Sequence, residues 1–298
     1  MEIYNLSNQK FISNKPITIC LGFFDGLHKG HIHLINQAIK ENEDVYVLTF
    51  NGDIKYLTNQ RKENYSLTSI EDRIDILSSL NVKGLFILNF NIDLMNLSPF
   101  DFIEKILKPL NIKNIYIGKD FTFGKFGKGD YKLLSDYFNV KIVDFINEDN
   151  SKISSSEIIN LILKGDILKV NSLLGRNYFI KGKVVHGLQN GRKINFPTAN
   201  IEPAFNYPIL NNGVYATYIT IDNIKYPSMT NIGTHPTIDQ LNKNSIETNI
   251  FDFDEDIYNK DIKLEFVKKI RDEIKFASLD QLKSQLNKDK LEIKELLK

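Results

Sequence analysis

Over the first half of the chain, short apolar runs alternate with longer amphipathic ones, and this alternation restricts the fold more than any other feature. The runs ITICLGFF, VYVLTF, GLFILNF and NIYIG lack polar alternation, and HIHLINQAIK, SIEDRIDILSSL and SPFDFIEKIL lie between them. A strand apolar at every position is buried on both faces, and strands joined by crossover helices run parallel. The expectation is therefore an α/β domain built on a doubly wound parallel sheet. In SIEDRIDILSSL, Ile70, Ile74 and Leu77 recur at spacings of four and three, a helical face laid over that sheet. Past about residue 180 the texture changes to FIKGKVVHG, GVYATYITI, SIETNIFDF and IKLEFVKKI between glycine, asparagine and proline clusters. Those are strands of a small antiparallel sheet or barrel. EIINLILKGDILKVNSLLG reads as short helices joined by Lys164, Gly165 and Asp166. From Ser278, Leu279, Leu282 and Leu286 mark a closing amphipathic helix. A chain of 298 residues exceeds an ordinary single core, and the expected division is 1–178 and 179–298.

The formal charge of +1 leaves no global positive field of the kind that marks nucleic-acid or membrane-surface binding, so any anion site is local. The lone cysteine, Cys20, has no partner for an internal disulfide and sits in an apolar run, as a buried thiol would. No apolar run approaches the roughly 18 residues that span a bilayer, and MEIYNLSNQK has no signal-peptide core. The expectation is a soluble cytoplasmic protein.

The string GFFDGLHKGH, Gly22 to His31, follows an apolar strand run and opens an amphipathic one. A helix amino terminus presents unpaired N–H groups and a positive dipole end, and Gly30 lets a phosphate approach the backbone. His28 and His31 are three apart, so on a helical turn they point the same way. Two imidazoles so placed can donate hydrogen bonds to a triphosphate while its α-phosphorus is attacked in line. The competing reading is an Asp25-Gly26 turn with solvated histidines. IYIGKDFTFGKFGKGD again sets glycines and aromatics after a short apolar strand, and ISSSEII offers Ser154, Ser155 and Ser156 as helix caps or as hydroxyl donors to phosphate.

GFFDGLHKGH resembles the nucleotide-binding signature of the nucleotidyltransferase superfamily in the form used by bacterial FMN adenylyltransferases, and HGLQNGRKINFPTANI resembles a riboflavin kinase signature. In motif order the whole chain is similar to the bifunctional bacterial riboflavin kinase/FMN adenylyltransferase family. The resemblance implies that His28 and His31 contact ATP phosphates, with Gly22, Phe24, Asp25 and Gly30 in the same signature. Gly118, Asp120, Phe121, Phe123 and Gly124 match the family's GxDFxFG pattern and are implied to shape the nucleotide and flavin pocket; a core position for Phe123 is the equal alternative. Glu157 and Ile159 stand where the family carries basic residues, and Asn51, Gly52 and Asp53 replace its proline and histidine turn.

In the second half, Thr198 and Asn200 are hard oxygen donors two residues apart. In an extended strand they face one side and suit Mg²⁺ and phosphate oxygens, with Pro197 fixing the start of the strand. Asn195 replaces a family glycine. GVYA from Gly213, NIGTHPT from Asn231 and IRDEIKF from Ile270 also match the family. In SIETNIF, Ile246 and Ile250 lie on one strand face and Glu247 on the other. With the isoleucines in a barrel core, Glu247 faces the side where the resemblance places the catalytic base; a solvent-facing glutamate is the alternative. Gly191, Pro197, Asn231, Arg271 and Phe276 are implied to meet ATP or flavin, and His235 to line the pocket wall.

The activities implied are ATP-dependent phosphorylation of riboflavin to FMN by 179–298, and adenylylation of FMN to FAD with release of pyrophosphate by 1–178. Mg²⁺ or another divalent metal serves both. The partners expected are the small molecules riboflavin, FMN and ATP, with no nucleic acid, membrane or obligate protein partner. A riboflavin kinase whose weakened adenylyltransferase half serves as a flavin-binding or regulatory module is the alternative, kept open by Glu157, Ile159 and Asn51 to Asp53. A class I aminoacyl-tRNA synthetase, which also uses an HxGH-type string, is set aside because the chain has no KMSKS-like lysine loop and no basic surface.

Overall fold

Each apolar run of the first half becomes a strand, and its period-two alternation feeds two separate cores. A computed structural model describes residues 1–52, 54–57, 63–144, 147–148, 151–187, 196–234 and 244–298. The strands are β1 (Glu2–Asn5), β2 (Ile17–Leu21), β3 (Val45–Asn51), β4 (Gly84–Asn89), β5 (Ile112–Gly118) and β6 (Asn139–Val143). They pair in parallel in the order β1-β4-β3-β2-β5-β6. Ile19, Leu48, Phe86 and Ile115 pack into one core, and their neighbours Cys20, Val47, Leu85 and Tyr116 into the other. Both faces of the sheet are therefore covered, as a doubly wound fold requires. Burial pushes the Cys20 thiol well above its ordinary pKa, which makes it a packing residue and not a nucleophile.

The covering helices are α1 (Lys29–Glu41), α2 (Ile54–Leu57), α3 (Ile70–Ser78), α4 (Ile92–Asn96), α5 (Pro99–Phe102) with a π-helical turn at Ile103–Leu107, and α6 (Tyr131–Ser135). α3 starts at a capping box in which Ser69 and Asp72 satisfy each other's backbone N–H groups. Its face of Ile70, Ile74 and Leu77 packs on the second core, as their spacing predicts.

The short strands β7 (Asn147–Glu148) and β8 (Ser151–Lys152) form a hairpin, followed by α7 (Ser155–Lys164) and α8 (Ile167–Leu174). The chain divides into two compact units, Met1–Ser155 and Ser156–Lys298. In the second unit, β9 (Tyr178–Val185), β10 (Ala199–Pro203), β11 (Gly213–Ile221), β12 (Ile224–Thr234), β13 (Asn244–Ile250) and β14 (Asp261–Arg271) close into an antiparallel barrel in the order β10-β13-β12-β11-β14-β9. Inside it, the fully buried hydroxyls of Thr217, Ser228, Thr230 and Thr248 bond one another at 2.8 to 2.9 Å. On the outside, Val214, Ala216 and Met229 pack under α9 (Leu279–Leu296), which Ser278 caps. Among the described residues, no helix is long and apolar enough to cross a membrane.

Candidate active sites

The parallel sheet reverses its order at β2, which pairs with β3 on one side and β5 on the other. In open α/β sheets the ligand crevice lies outside the strand carboxyl ends at such a switch point. The turn Gly22–His31 leaves β2 there, and Gly118 to Gly129 leaves β5 beside it. Phe24, Gly26 and Leu27 all have positive φ, at 51°, 77° and 38°. Two non-glycine residues in that region mark a strained backbone, which persists only where its surroundings over-determine it.

The over-determination comes from α3 and β3. The Asp25 carboxylate accepts the N–H groups of Leu67 and Thr68 and the Thr68 hydroxyl, all at 3.1 Å, and meets Arg73 at 3.5 Å. The Thr49 hydroxyl donates to the Phe23 carbonyl at 2.6 Å. Asp25 thus spends its oxygens on the protein, and Phe24 is buried at 1% exposure, so both shape the turn from within. Burial pulls the Arg73 guanidinium below its ordinary pKa, and the charge of Asp25 works against that shift.

His28 caps α1, its Nδ1 accepting the His31 N–H at 3.4 Å, and the two imidazoles stack with centroids 3.6 Å apart. The three-residue spacing has brought them together as expected. An added Cβ at Gly30 would lie 3.3 Å from the His28 ring, so the glycine keeps the helix start open. The Ser155 hydroxyl, 130 residues from Asp25, donates to its carbonyl at 2.9 Å, which joins the serine string to the first motif. Ser154 precedes α7, and Ser156 lies within its first turn.

After β5, the Phe121 N–H closes a turn on Gly118, and Gly124 at φ 70° packs so closely on Pro99 that a Cβ would come within 2.7 Å. Phe123 is buried against Phe102, and Phe121 stacks on Phe123, so of the two expectations for Phe123 the core position is the one observed. Asp120 forms an ion pair with Lys152. Ile159 is buried, and Asn51 bonds the Asn89 side chain across the ends of β3 and β4. Asp53 lies outside the described residues.

On the barrel the strand registers assemble a second candidate site. Asn200 of β10 is the register partner of Glu247 in β13, Glu247 of Asn231 in β12, Asn231 of Val214 in β11, and Val214 of Arg271 in β14. Register partners project to the same face, so these residues form one row around the barrel's outer surface. Ile246 is buried and Glu247 lies on the opposite, α9-covered face, as the alternation predicts. The Thr198 hydroxyl donates to Glu247 Oε2 at 3.2 Å, and the Asn249 amide donates to the Pro197 carbonyl at 2.7 Å. Gly187 packs so tightly on the Asn200 amide that a Cβ would overlap it.

Two cavities lie nearby, and four residues of the row line the larger. One, of about 680 Å³, is lined by Phe196, Met229, Asn231, Glu247, Arg271 and Phe276. The other, of about 500 Å³, is lined by Pro197, Thr248, Phe253, Asp256 and Tyr258. Thr198 borders both. Arg271 reaches the buried Asp289 of α9 through Nε at 2.9 Å and Nη2 at 2.8 Å, and Gln285 donates to the other Asp289 oxygen at 2.8 Å. Its guanidinium lies 5.9 Å from the centre of the Phe276 ring. Gly191, Asn195 and His235 lie outside the described residues.

Among the described residues, no cluster of three or more His, Cys, Asp or Glu side chains is placed to hold a metal ion. One carboxylate with a neighbouring hydroxyl and amide, as at Glu247, Thr198 and Asn200, does fit Mg²⁺, which takes few protein ligands and completes its shell with phosphate and water. Sequence reasoning missed Arg73 and Asp289. Arg73 had a signal: it shares the i, i+3, i+4, i+7 stripe of Ile70, Ile74 and Leu77, a cation on a face that packs on a sheet. Asp289 had none, because an aspartate in a helix rich in charge is usually solvated.

Comparison with known proteins matches residues 10–157 to an FAD synthetase family model and residues 174–297 to a riboflavin kinase model. The chain is 38% identical over 285 residues to a bifunctional riboflavin kinase/FMN adenylyltransferase from Bacillus subtilis, covering 92% of this chain and 90% of that one. Its counterpart from Escherichia coli is 32% identical, with 98% and 96% covered. A crystal structure described as a macrolide-efflux protein from Streptococcus pneumoniae superposes with a TM-score of 0.88 at 32% identity, over 97% of each chain.

Proposed function

The chain belongs to the bifunctional riboflavin kinase/FMN adenylyltransferase family, and we propose a site for each of its two activities and a role for the residues in them. The protein phosphorylates riboflavin to FMN and adenylylates FMN to FAD, using ATP and flavin substrates. The observation that carries the kinase assignment is the row Asn200–Glu247–Asn231, with Thr198 at the border of two cavities.

The larger cavity, walled by Phe196, Met229 and Phe276, suits a flavin ring, and the smaller, more polar one suits the nucleotide. Phosphoryl transfer then takes place where they meet. Glu247 accepts the proton of the ribityl primary hydroxyl as its oxygen attacks the γ-phosphorus; the bond to the β-phosphate oxygen breaks and ADP leaves. Thr198 and Asn200 would hold Mg²⁺ together with the phosphates, and the ion supplies neutralisation of developing phosphate charge. Pro197 and Asn231 set the walls, and Arg271, held by Asp289, frames the flavin cavity beside Phe276.

For the adenylyl step, the stacked His28 and His31 at the start of α1 support a site at the β2/β5 switch point. An FMN phosphate oxygen attacks the α-phosphorus of ATP, the α–β bond breaks, and the imidazoles donate to the departing pyrophosphate. Gly22 and Gly30 give the phosphates access to backbone N–H groups, and Gly118, Asp120 and Phe121 border the same crevice, with Ser154 and Ser156 as hydroxyl donors and Ser155 tying its helix to the Asp25 carbonyl. The adenylyl function falls within 1–178 and the kinase function within 179–298. We place the protein in the cytoplasm, with no nucleic-acid, membrane or obligate protein partner.

The test is to incubate the protein with riboflavin, ATP and Mg²⁺ and separate the flavins by chromatography. FMN followed by FAD is expected. FMN alone would favour a silent adenylyltransferase half, and chelation of the metal should stop both steps.

A further inference from the structure

The strained turn that carries His28 is held by a side chain with no part in the chemistry above. Arg73 of α3 is 3% exposed. Its Nη1 donates to the carbonyls of Phe23 at 3.0 Å and Phe50 at 2.8 Å and to the Thr49 hydroxyl at 3.0 Å. Its Nε meets the Thr68 hydroxyl at 3.2 Å, and Nη2 reaches the Thr68 carbonyl at 3.4 Å and Asp25 at 3.5 Å. The Thr68 hydroxyl in turn accepts the Gly26 N–H at 2.9 Å. One guanidinium thus ties the end of β2, the end of β3, the approach to α3 and the turn itself.

A leucine or isoleucine at this position would continue the apolar stripe of α3 and pack on the sheet. Burying a cation there carries a desolvation cost that packing alone does not call for. What the cation adds is geometry: a planar fork of five donors matches carbonyls and hydroxyls on four segments, which a lysine with its donors at one point cannot do. The backbone it fixes is the stretch where Phe24, Gly26 and Leu27 are all at positive φ, immediately before the His28 cap.

We propose that Arg73 is a positioning residue for adenylyl transfer, holding the left-handed turn from Phe24 to Leu27 and so fixing where His28 and His31 meet the triphosphate. This rests on the placement of that reaction at the Gly22–His31 turn. The full-length protein is compared with Arg73→Lys, Thr49→Val, Thr49→Ser and the double variant His28→Ala/His31→Ala, measuring kcat and KM for FMN adenylylation and for riboflavin phosphorylation. Arg73→Lys should lower the adenylylation kcat on the order of tenfold to a hundredfold, the scale of a misplacement near 1 Å. KM for FMN should stay within about twofold, since histidines acting on the departing pyrophosphate contribute mainly in the transition state, and riboflavin phosphorylation should be unchanged. Thr49→Val should lose kcat in the same direction, and Thr49→Ser should restore it.

A folded Arg73→Lys variant with wild-type kcat, or one whose loss only tracks the fraction unfolded, overturns the proposal. If that variant does not fold, Thr49→Val decides, and wild-type kcat there overturns it as well. Undiminished adenylylation in His28→Ala/His31→Ala would instead overturn the placement of the site, whatever Arg73→Lys does.

Discussion

Asn200 and Glu247 are direct register partners across β10 and β13, so the barrel's own hydrogen-bond ladder sets the amide and the carboxylate side by side on one face. Their pairing needs no loop to close and no ligand to arrive. Glu247→Gln keeps the shape of the side chain and removes its basicity. It should reduce FMN formation by about 10²- to 10⁴-fold, the usual contribution of general-base assistance. FAD formation from supplied FMN should survive. Steady-state assays of both reactions check this, and near-wild-type phosphorylation would remove Glu247 from the role of base.

The stacked pair His28 and His31 leads to the reciprocal outcome. His28→Ala and His31→Ala should each depress adenylylation of FMN while riboflavin phosphorylation continues at its normal rate. The two motifs lie in separate compact units, with His28 in Met1–Ser155 and Thr198 in Ser156–Lys298. Loss of both activities in a folded variant would contradict separate sites.

Asp289 is 2% exposed and takes both Arg271 and Gln285. Asp289→Asn removes the charge that Arg271 pairs with, and breaking a buried pair from one side costs about 3–5 kcal/mol. The variant should melt earlier. Because Arg271 and Phe276 line the cavity proposed for the flavin, KM for riboflavin should rise more than kcat falls. Thermal unfolding together with riboflavin kinetics separates the two effects.

Ile159 tests the departure from the family at ISSSEII. The family's basic residue there makes a gain of adenylylation in Ile159→Arg a natural expectation, but the isoleucine is 6% exposed. An arginine would have to bury its guanidinium or force the helix to shift. Ile159→Arg should therefore lower Tm and leave adenylylation efficiency unimproved. A stable variant with raised kcat/KM would mean that the position opens toward the phosphates when substrate binds.

The sequence announces the elements that are buried on both faces and conceals those at the edges. β2 is buried at all five positions and apolar at every one but Thr18, so it was legible at once, whereas β6, with three of its five residues exposed, carries no comparable run. β1 likewise has two exposed and two half-buried residues. β12 is obscured by Pro227 in its middle, a residue that argues against a strand in any local reading. In the sites, spacing was enough for His28 with His31 and for Glu247 opposite Ile246. What spacing could not supply was the register that sets Asn200 and Asn231 on either side of Glu247, because three strands far apart in the chain determine it. The clamp on the turn was equally hidden, since Thr49 meets Phe23, and Thr68 and Arg73 meet Asp25, only through tertiary packing.

If one chain holds two chemically independent sites, two variants each silenced at a different site complement one another when mixed. With riboflavin, ATP and Mg²⁺, Glu247→Gln alone should make little FMN and hence little FAD, and His28→Ala/His31→Ala alone should stop at FMN. Combined in one tube, the second variant supplies FMN to the intact adenylyl site of the first, and FAD should accumulate. A mixture that makes FMN but no FAD, from variants that are each folded, would mean that the two sites are not independent, and FAD from Glu247→Gln alone at the wild-type rate would mean that Glu247 is not the kinase base.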